Sequence, residues 1–320
     1  MSIISRTLVA AFFAVGLAHA QGYPAKPIKL LVPFPPGGPA DTMSRVIARK
    51  LGEVLGQSLV LENRGGGGGT IAMGELSRAV ADGYTLGIGS NSTLAIAPSL
   101  YRKLPYDSIG SFSHVTLVAT VTTILLVHQA VPASDLRELI EYAKARPGEL
   151  NFGSNGNGTV PHLAGMLFQS LTGTRLVHVP YKGMSAALND LMAGQIQLGL
   201  FATSGRESYL KEGKLRALAV ASPARIANLP DVPTALEAGL AGFETYTWFG
   251  LAGPPGLAPE LIQRLNQAVR TALEATDVAD AFAAHGFNPA ANSPAQFRDF
   301  IRAETAKWAP LVKSLGMTID

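Results

Sequence analysis

Short apolar runs alternate along this chain with stretches of helical spacing, and polar turns rich in Gly and Pro separate them. Ile28 to Pro33 (IKLLVP) is apolar and leads into Pro-Pro-Gly-Gly, which predicts a strand and then a turn. Asp41 to Leu55 sets Met43, Val46, Ile47, Leu51 and Leu55 on one helical face. Ser58 to Glu62 reads as a strand, Gly65 to Gly69 as a turn, Ile71 to Val80 as a helix and Tyr84 to Gly89 as a strand. Val115 to Val127 is the most hydrophobic stretch outside the N-terminus; it is short and rich in Val and Thr, as a buried strand is. The rhythm then resumes. Ser134 to Ala145 predicts a helix that Ser134 or Asp135 can cap, Asn151 to Gly153 a strand, Thr159 to Leu171 a helix, Val177 to Pro180 a strand and Ser185 to Ala193 a helix. Leu198 to Phe201, Leu215 to Val220 and Glu244 to Leu251 read as strands, and Pro259 to Ala275 and Pro294 to Leu315 as helices. Repeated β-turn-α units predict α/β architecture with parallel strands and crossover helices. No low-complexity linker divides the two α/β units, so the chain is expected to cross between them on strands.

The first residues follow a different pattern. A charge at Arg6, an apolar run from Thr7 to Leu17 and small residues at Ala18 and Ala20 predict a secretory signal peptide over 1–20, cut before Gln21. The run is too short to span a bilayer, which takes about 20 apolar residues. An exported chain meets little ATP or NAD. Cysteine is absent, which excludes disulfides, a thiol nucleophile and Cys-ligated metal. The net charge of +3, with no Lys/Arg cluster, argues against nucleic acid as a partner. Gly65 to Gly69 lacks the Lys-Ser/Thr of a phosphate-binding loop, no GxSxG elbow occurs, and the six His form no HExxH or HxH group. No cofactor and no metal is therefore expected.

Several segments are more specific in combination. YPAKPIKLLVPFPPGGPAD (Tyr23 to Asp41), LGQSLVLENRGGGGG (Leu55 to Gly69), ADGYTL (Ala81 to Leu86), YRKLPYD (Tyr101 to Asp107), GNGTVPHLAG (Gly156 to Gly165), HVPYKG (His178 to Gly183), GKLRALAV (Gly213 to Val220), LPDVPTALEAGL (Leu229 to Leu240) and WFGL (Trp248 to Leu251) follow in this order. The series resembles the substrate-binding receptors of tripartite tricarboxylate transporters, the Bug family, over essentially the whole mature chain. The resemblance implies a type II periplasmic-binding-protein (Venus flytrap) fold of two α/β domains, 21–120 plus 248–320 and 121–247. A small organic carboxylate would sit in the cleft between them. It also implies a periplasmic monomer, not an enzyme, that delivers its ligand to the large and small membrane subunits of a secondary transporter. Two alternatives stand beside it: a ligand sensor for a membrane kinase, and an exported hydrolase.

The family's ligand loops fall on five turns of this chain. The first contains Phe34, Pro36, Gly37, Gly38, Asp41 and Thr42; a glycine turn before a helix presents free N–H groups to a carboxylate. Asp41 is equally suited to capping. The second contains Ser90, Asn91 and Ser92, at a strand's carboxyl end, where open α/β sheets bind ligands. The third contains Ser154, Asn155, Gly156, Asn157, Gly158 and Thr159, with His162 as either a ligand contact or a packing residue. The fourth contains Tyr181 and Lys182, the latter a contact or a solvated cation. The fifth contains Phe201 and Ala202, where many family members carry Asp-Asn or Asp-Pro. The departure disfavours an amino-acid zwitterion and favours an apolar or aromatic carboxylate, unless Phe201 is simply core.

Overall fold

In a computed structural model the structure describes residues 22–204, 209–210 and 212–319. The predicted signal peptide lies outside the described residues. The chain opens with β1 (Ile28–Val32), α1 (Pro39–Leu55), β2 (Leu59–Asn63), α2 (Thr70–Leu76) and β3 (Thr85–Ser90). A π-helical segment, Asn91–Ile96, runs into α3 (Ala97–Leu100) and is followed by the long β4 (Ser113–His128). Then come α4 (Leu136–Ala145), β5 (Asn151–Ser154), α5 (Val160–Thr172), β6 (Val177–Pro180), α6 (Met184–Met192), β7 (Leu198–Ala202) and β8 (Leu215–Val220). The chain closes with β9 (Tyr246–Gly253), α7 (Pro259–Glu274), α8 (Thr276–Ala284), β10 (Phe287–Pro289) and α9 (Pro294–Ser314).

The helices start and stop where local chemistry dictates. Pro39 opens α1, its missing N–H being one the first turn would leave unpaired, and Gly56 closes it at φ 78°. Asp135 accepts Glu138 N at 2.8 Å to cap α4. Ser293 and Gln296 form a reciprocal capping box at the head of α9. The expected helix over Ile71 to Val80 ends early at Leu76, because Arg78 N and Ala79 N bond three residues back and tighten the chain into turns. The π segment, α8 and β10 were not among the expected elements. In α8 only Val278 and Phe282 are buried, too brief a stripe for a periodic signal.

All strands join one mixed sheet in the order β2-β1-β3-β9-β4-β7-β5-β6, with β10 and β8 also paired to β4. β4 is the spine of the molecule. Ser113 to Thr122 pairs with β9, and Thr123 to Val127 pairs with β7. The exchange of partners falls between Thr122, opposite Tyr246, and Thr123, opposite Ala202. On either side of that point the sheet carries helices on both faces, and we refer to the two sections as the first and second lobes. In the first lobe, α1, α7 and α8 cover one core, around Ile28, Ile47, Val269 and Phe282. The other face packs Leu31, Leu94, Trp248, Phe297 and Trp308 under the π segment and α9. The second lobe packs Phe152, Phe168 and Leu200 on one face and Leu126, Leu188 and Phe201 on the other. Val160 and Leu163 of α5 belong to the first-lobe cluster, so apolar packing crosses between the lobes.

Candidate functional site

Four helical segments begin at the seam between the lobes. Gly38, Pro39 and Ala40 start α1, Ser90 and Ser92 lie at the head of the π segment, Val160 and Pro161 start α5, and Met184 starts α6. All of them line one cavity of about 30 Å³, together with Phe34, Pro35, Asn155, Ala202, Thr247 and Phe249. Among the described residues no charged side chain lines it. A helix start carries unpaired N–H groups and about half a positive charge, so the convergence creates an anion-favouring field without a cation. Among the described residues no N-cap side chain bonds the first turn of α1, α5 or α6, which leaves backbone donors at those starts for other partners. The cavity is large enough for a water molecule or two.

A wider opening of about 600 Å³ adjoins it, lined by Gly65 to Gly69, Tyr101, Asn157, Tyr181 and Lys182. Phe34, Pro35 and Asn155 line both spaces and form the neck. The Oδ1 atom of Asn155 is buried without a hydrogen-bond partner. Buried polar atoms are almost always paired, and this one, an acceptor, calls for an N–H or O–H donor.

Local bonding explains why the walls stand where they do. Asp41 accepts Gly37 N at 3.0 Å, Arg45 Nε at 2.9 Å and Asn63 Nδ2 at 3.1 Å, and Asn63 also bonds Phe34 O. Burial works to raise the Asp41 pKa, but these donors outweigh it and hold the carboxyl below its usual range. The first loop lies against α6 so closely that a Cβ on Gly37 would stand 2.9 Å from Ser185 Oγ, and one on Gly183 3.1 Å from Pro35 Cγ. Ser92 Oγ accepts Val160 N across the seam at 3.3 Å.

Residues 43–317 match the model of the tripartite tricarboxylate transporter family receptor. The chain belongs to this receptor family. It is similar to protein BugT of Bordetella pertussis, with 39% identity over 93% of this chain and 91% of that one. Among solved structures it is similar to Rpa4515 of R. palustris with adipate, at 34% identity, TM-score 0.90, and coverage of 93% of this chain and 100% of that one. It is also similar to MatC of Rhodopseudomonas palustris with bound malate, at 32% identity, TM-score 0.85, and coverage of 91% and 100%. The α/β periplasmic-binding-protein fold is thereby shown, and this receptor is a solute-binding protein by family.

Of the positions expected at the receptor's site, Phe34, Gly38, Ser90, Ser92, Asn155 and Ala202 line the inner cavity. Gly156, Asn157, Tyr181 and Lys182 line the outer opening. Pro36, Gly37, Asp41, Thr42, Asn91, Ser154, Gly158, Thr159 and His162 line neither space, and Pro36 and Gly37 are exposed. Asn91 is fully buried and donates to Tyr246 O at 2.7 Å, which ties the π segment to β9. Tyr181 Oη donates to Asp190 at 2.7 Å; burial and that carboxylate push its pKa up to about 12.

Phe201 requires a correction. Side chains alternate along β7, so Ala202 faces the cavity while Phe201 points into the second-lobe core with Ile124, Leu188 and Val220. Its ring fills the space left by Gly199, where a Cβ would overlap it. Any preference for an apolar ligand therefore cannot come from Phe201. Sequence reasoning placed Met184 in the fourth loop without singling it out, and missed Val160 and Pro161, which helix-start positions could have indicated. It also missed Thr247 and Phe249, which sit on a strand whose register no local motif reveals.

Proposed function

We propose that this receptor binds a small organic carboxylate between its lobes, works in the periplasm, and delivers the ligand to the membrane subunits of a tripartite tricarboxylate-type secondary transporter. The observation that carries the reading is the convergence of helix N-termini on a cavity that, among the described residues, no charged side chain lines. Such a site holds a carboxylate through backbone N–H groups, hydroxyls and the Asn155 amide, and offers no carboxylate of its own to an ammonium group. The presence of adipate and malate in two similar receptors supports the same ligand class. On this reading 21–120 with 248–320 forms one domain and 121–247 the other, and the partner exchange within β4 supports a hinge there. Ligand contact from both lobes stabilises the shut form, which the membrane subunits recognise.

A thermal-shift screen of ligand-stripped protein against mono-, di- and tricarboxylates, amino acids and sugars tests this. A ligand at about 100 times its Kd adds roughly 2.7 kcal/mol of stability. A shift with carboxylates supports the reading; shifts only with sugars or amino acids overturn it. N-terminal sequencing of protein recovered from the periplasm tests the cut before Gln21.

A further inference from the structure

Two histidines behind the second-lobe ligand loop form a unit that neither the family match nor the cavity explains. His162 on α5 and His178 on β6 stack with ring centroids 3.8 Å apart and planes 9° apart. Phe152 of β5 lies 4.9 Å from the His178 ring. Each imidazole grips one end of the loop 154–159. Gly158 N donates to His162 Nδ1 at 3.1 Å, and His178 Nε2 lies 2.7 Å from Ser154 Oγ. Ser154 Oγ also accepts Gly156 N, and Thr159 Oγ1 donates to Gly156 O at 2.7 Å. The clasp thus closes through the loop that carries Asn155 to the cavity neck.

The clasp works only with neutral rings. An Nδ1 that accepts from Gly158 N–H has no proton, so the His162 proton is on Nε2. A second proton would go on Nδ1, facing the Gly158 hydrogen, and would break that bond. The elements packed around the pair supply no compensating charge: α5, β5 and β6 contain no Asp, Glu, Lys or Arg, and Arg175 and Lys182, which flank β6, are exposed. Burial lowers His162 to about 4; burial and then the neighbouring His162 lower His178 to about 3.

We propose that His162, stacked on His178, is the positioning residue of the ligand loop, and that carboxylate affinity depends on its neutral Nδ1 acceptor. The inference rests on the carboxylate-receptor reading for its consequence, though the clasp itself does not depend on ligand identity.

Titration calorimetry with adipate and malate as probes, on the wild type, His162→Phe and His162→Asn, tests it. His162→Phe keeps a ring in the stack and removes the acceptor, and is expected to weaken binding about tenfold, the loss of one good hydrogen bond. His162→Asn sets Oδ1 near the position of Nδ1 and is expected to restore affinity to within about threefold of wild type. Wild-type affinity in a folded His162→Phe protein overturns the proposal, and so does failure of His162→Asn to restore it. A ligand-free readout separates this from the function. The Gly158 amide of the wild type should resist hydrogen exchange, and its NMR signal should stay fixed from pH 8 to about pH 5.5. An unprotected Gly158 amide, or one that titrates near pH 6.5, overturns the clasp. If neither probe binds the wild type, the carboxylate reading still rests on the wider thermal-shift screen, and the Gly158 amide alone decides the clasp.

Discussion

Leu100 Cδ2 occupies the position that a Cβ on Gly158 would need. The leucine belongs to the first lobe and the glycine, at φ +73°, to the second, so the shut form depends on a missing side chain. Gly158→Ala therefore meets both a left-handed backbone, which costs an L-residue about 1–2 kcal/mol, and the end of the Leu100 side chain, so either that side chain must repack in its core or the lobes must part. We expect ligand affinity to fall at least about tenfold while the lobes stay folded. Calorimetry with adipate, alongside small-angle scattering, checks this; unchanged affinity and radius would show that closure does not run through this contact.

Ala202 and Phe201 should respond in opposite ways. Ala202→Asp introduces a carboxylate beside the helix starts and is expected to weaken anion binding on the order of a hundredfold through like-charge repulsion. Phe201→Ala empties a core position and should cost about 3–5 kcal/mol of stability without altering which acids bind. Urea unfolding combined with a ligand panel distinguishes the two. A changed ligand ranking in Phe201→Ala would return that ring to the site.

Two buried histidines and the half-buried His178 make stability fall in acid. Burial holds His114 and His162 at about 4 and His178 at about 3, against an unfolded value near 6.5. Below pH 6.5 the unfolded chain takes up protons that the native state refuses. Stability is therefore full above that pH and is lost as the pH falls toward 4, by up to about 1.4 kcal/mol per pH unit for each ring. Asp41 acts in a lower window: its carboxyl is depressed when folded, so its contribution holds above the usual carboxylate pKa and disappears as the pH drops through the depressed value. Denaturation midpoints at pH 7.5, 5.5 and 4.5 check the sign. His114→Phe should make the upper part of the curve less steep, and a profile flat from 7.5 to 4.5 would contradict it.

Glu304 joins α9 to the strand behind the cavity. Its carboxylate, 5% exposed, accepts Tyr246 Oη at 2.8 Å, Trp248 Nε1 at 3.0 Å and Trp308 Nε1 at 3.3 Å. Glu304→Ala leaves two buried indole donors and a half-buried phenol without an acceptor and should cost about 3 kcal/mol; Glu304→Gln, which keeps one acceptor, should cost less. Thermal unfolding followed by tryptophan fluorescence reads both effects, and equal losses in the two variants would point to packing rather than bonding.

The alternation of apolar runs revealed the strands because each carries its own burial pattern: β6 and β8 have the bounds the sequence predicts. The glycine turns at Gly37 and Gly158 were legible for the same local reason, a positive φ that glycine adopts readily. What was not legible depends on partners distant in sequence. The role of Asp41 as a strut needed Asn63 opposite it, the inward turn of Phe201 needed the register of β7 on β4, and the stack of His162 on His178 needed two elements brought side by side. Thr247 and Phe249 reach the cavity only because β9 lies between β3 and β4.

The shared spine has a mechanical meaning. Since β4 runs unbroken from one lobe into the other, the lobes are not beads on a string but two ends of one twisted ribbon. Motion between them must bend or wring that ribbon near Thr122 and Thr123 while its ladder stays paired on both sides. On the proposed receptor reading the joint resembles a leaf spring more than a door on a pin: its travel should be short and its return stroke elastic, with the loops at the jaws standing apart from it.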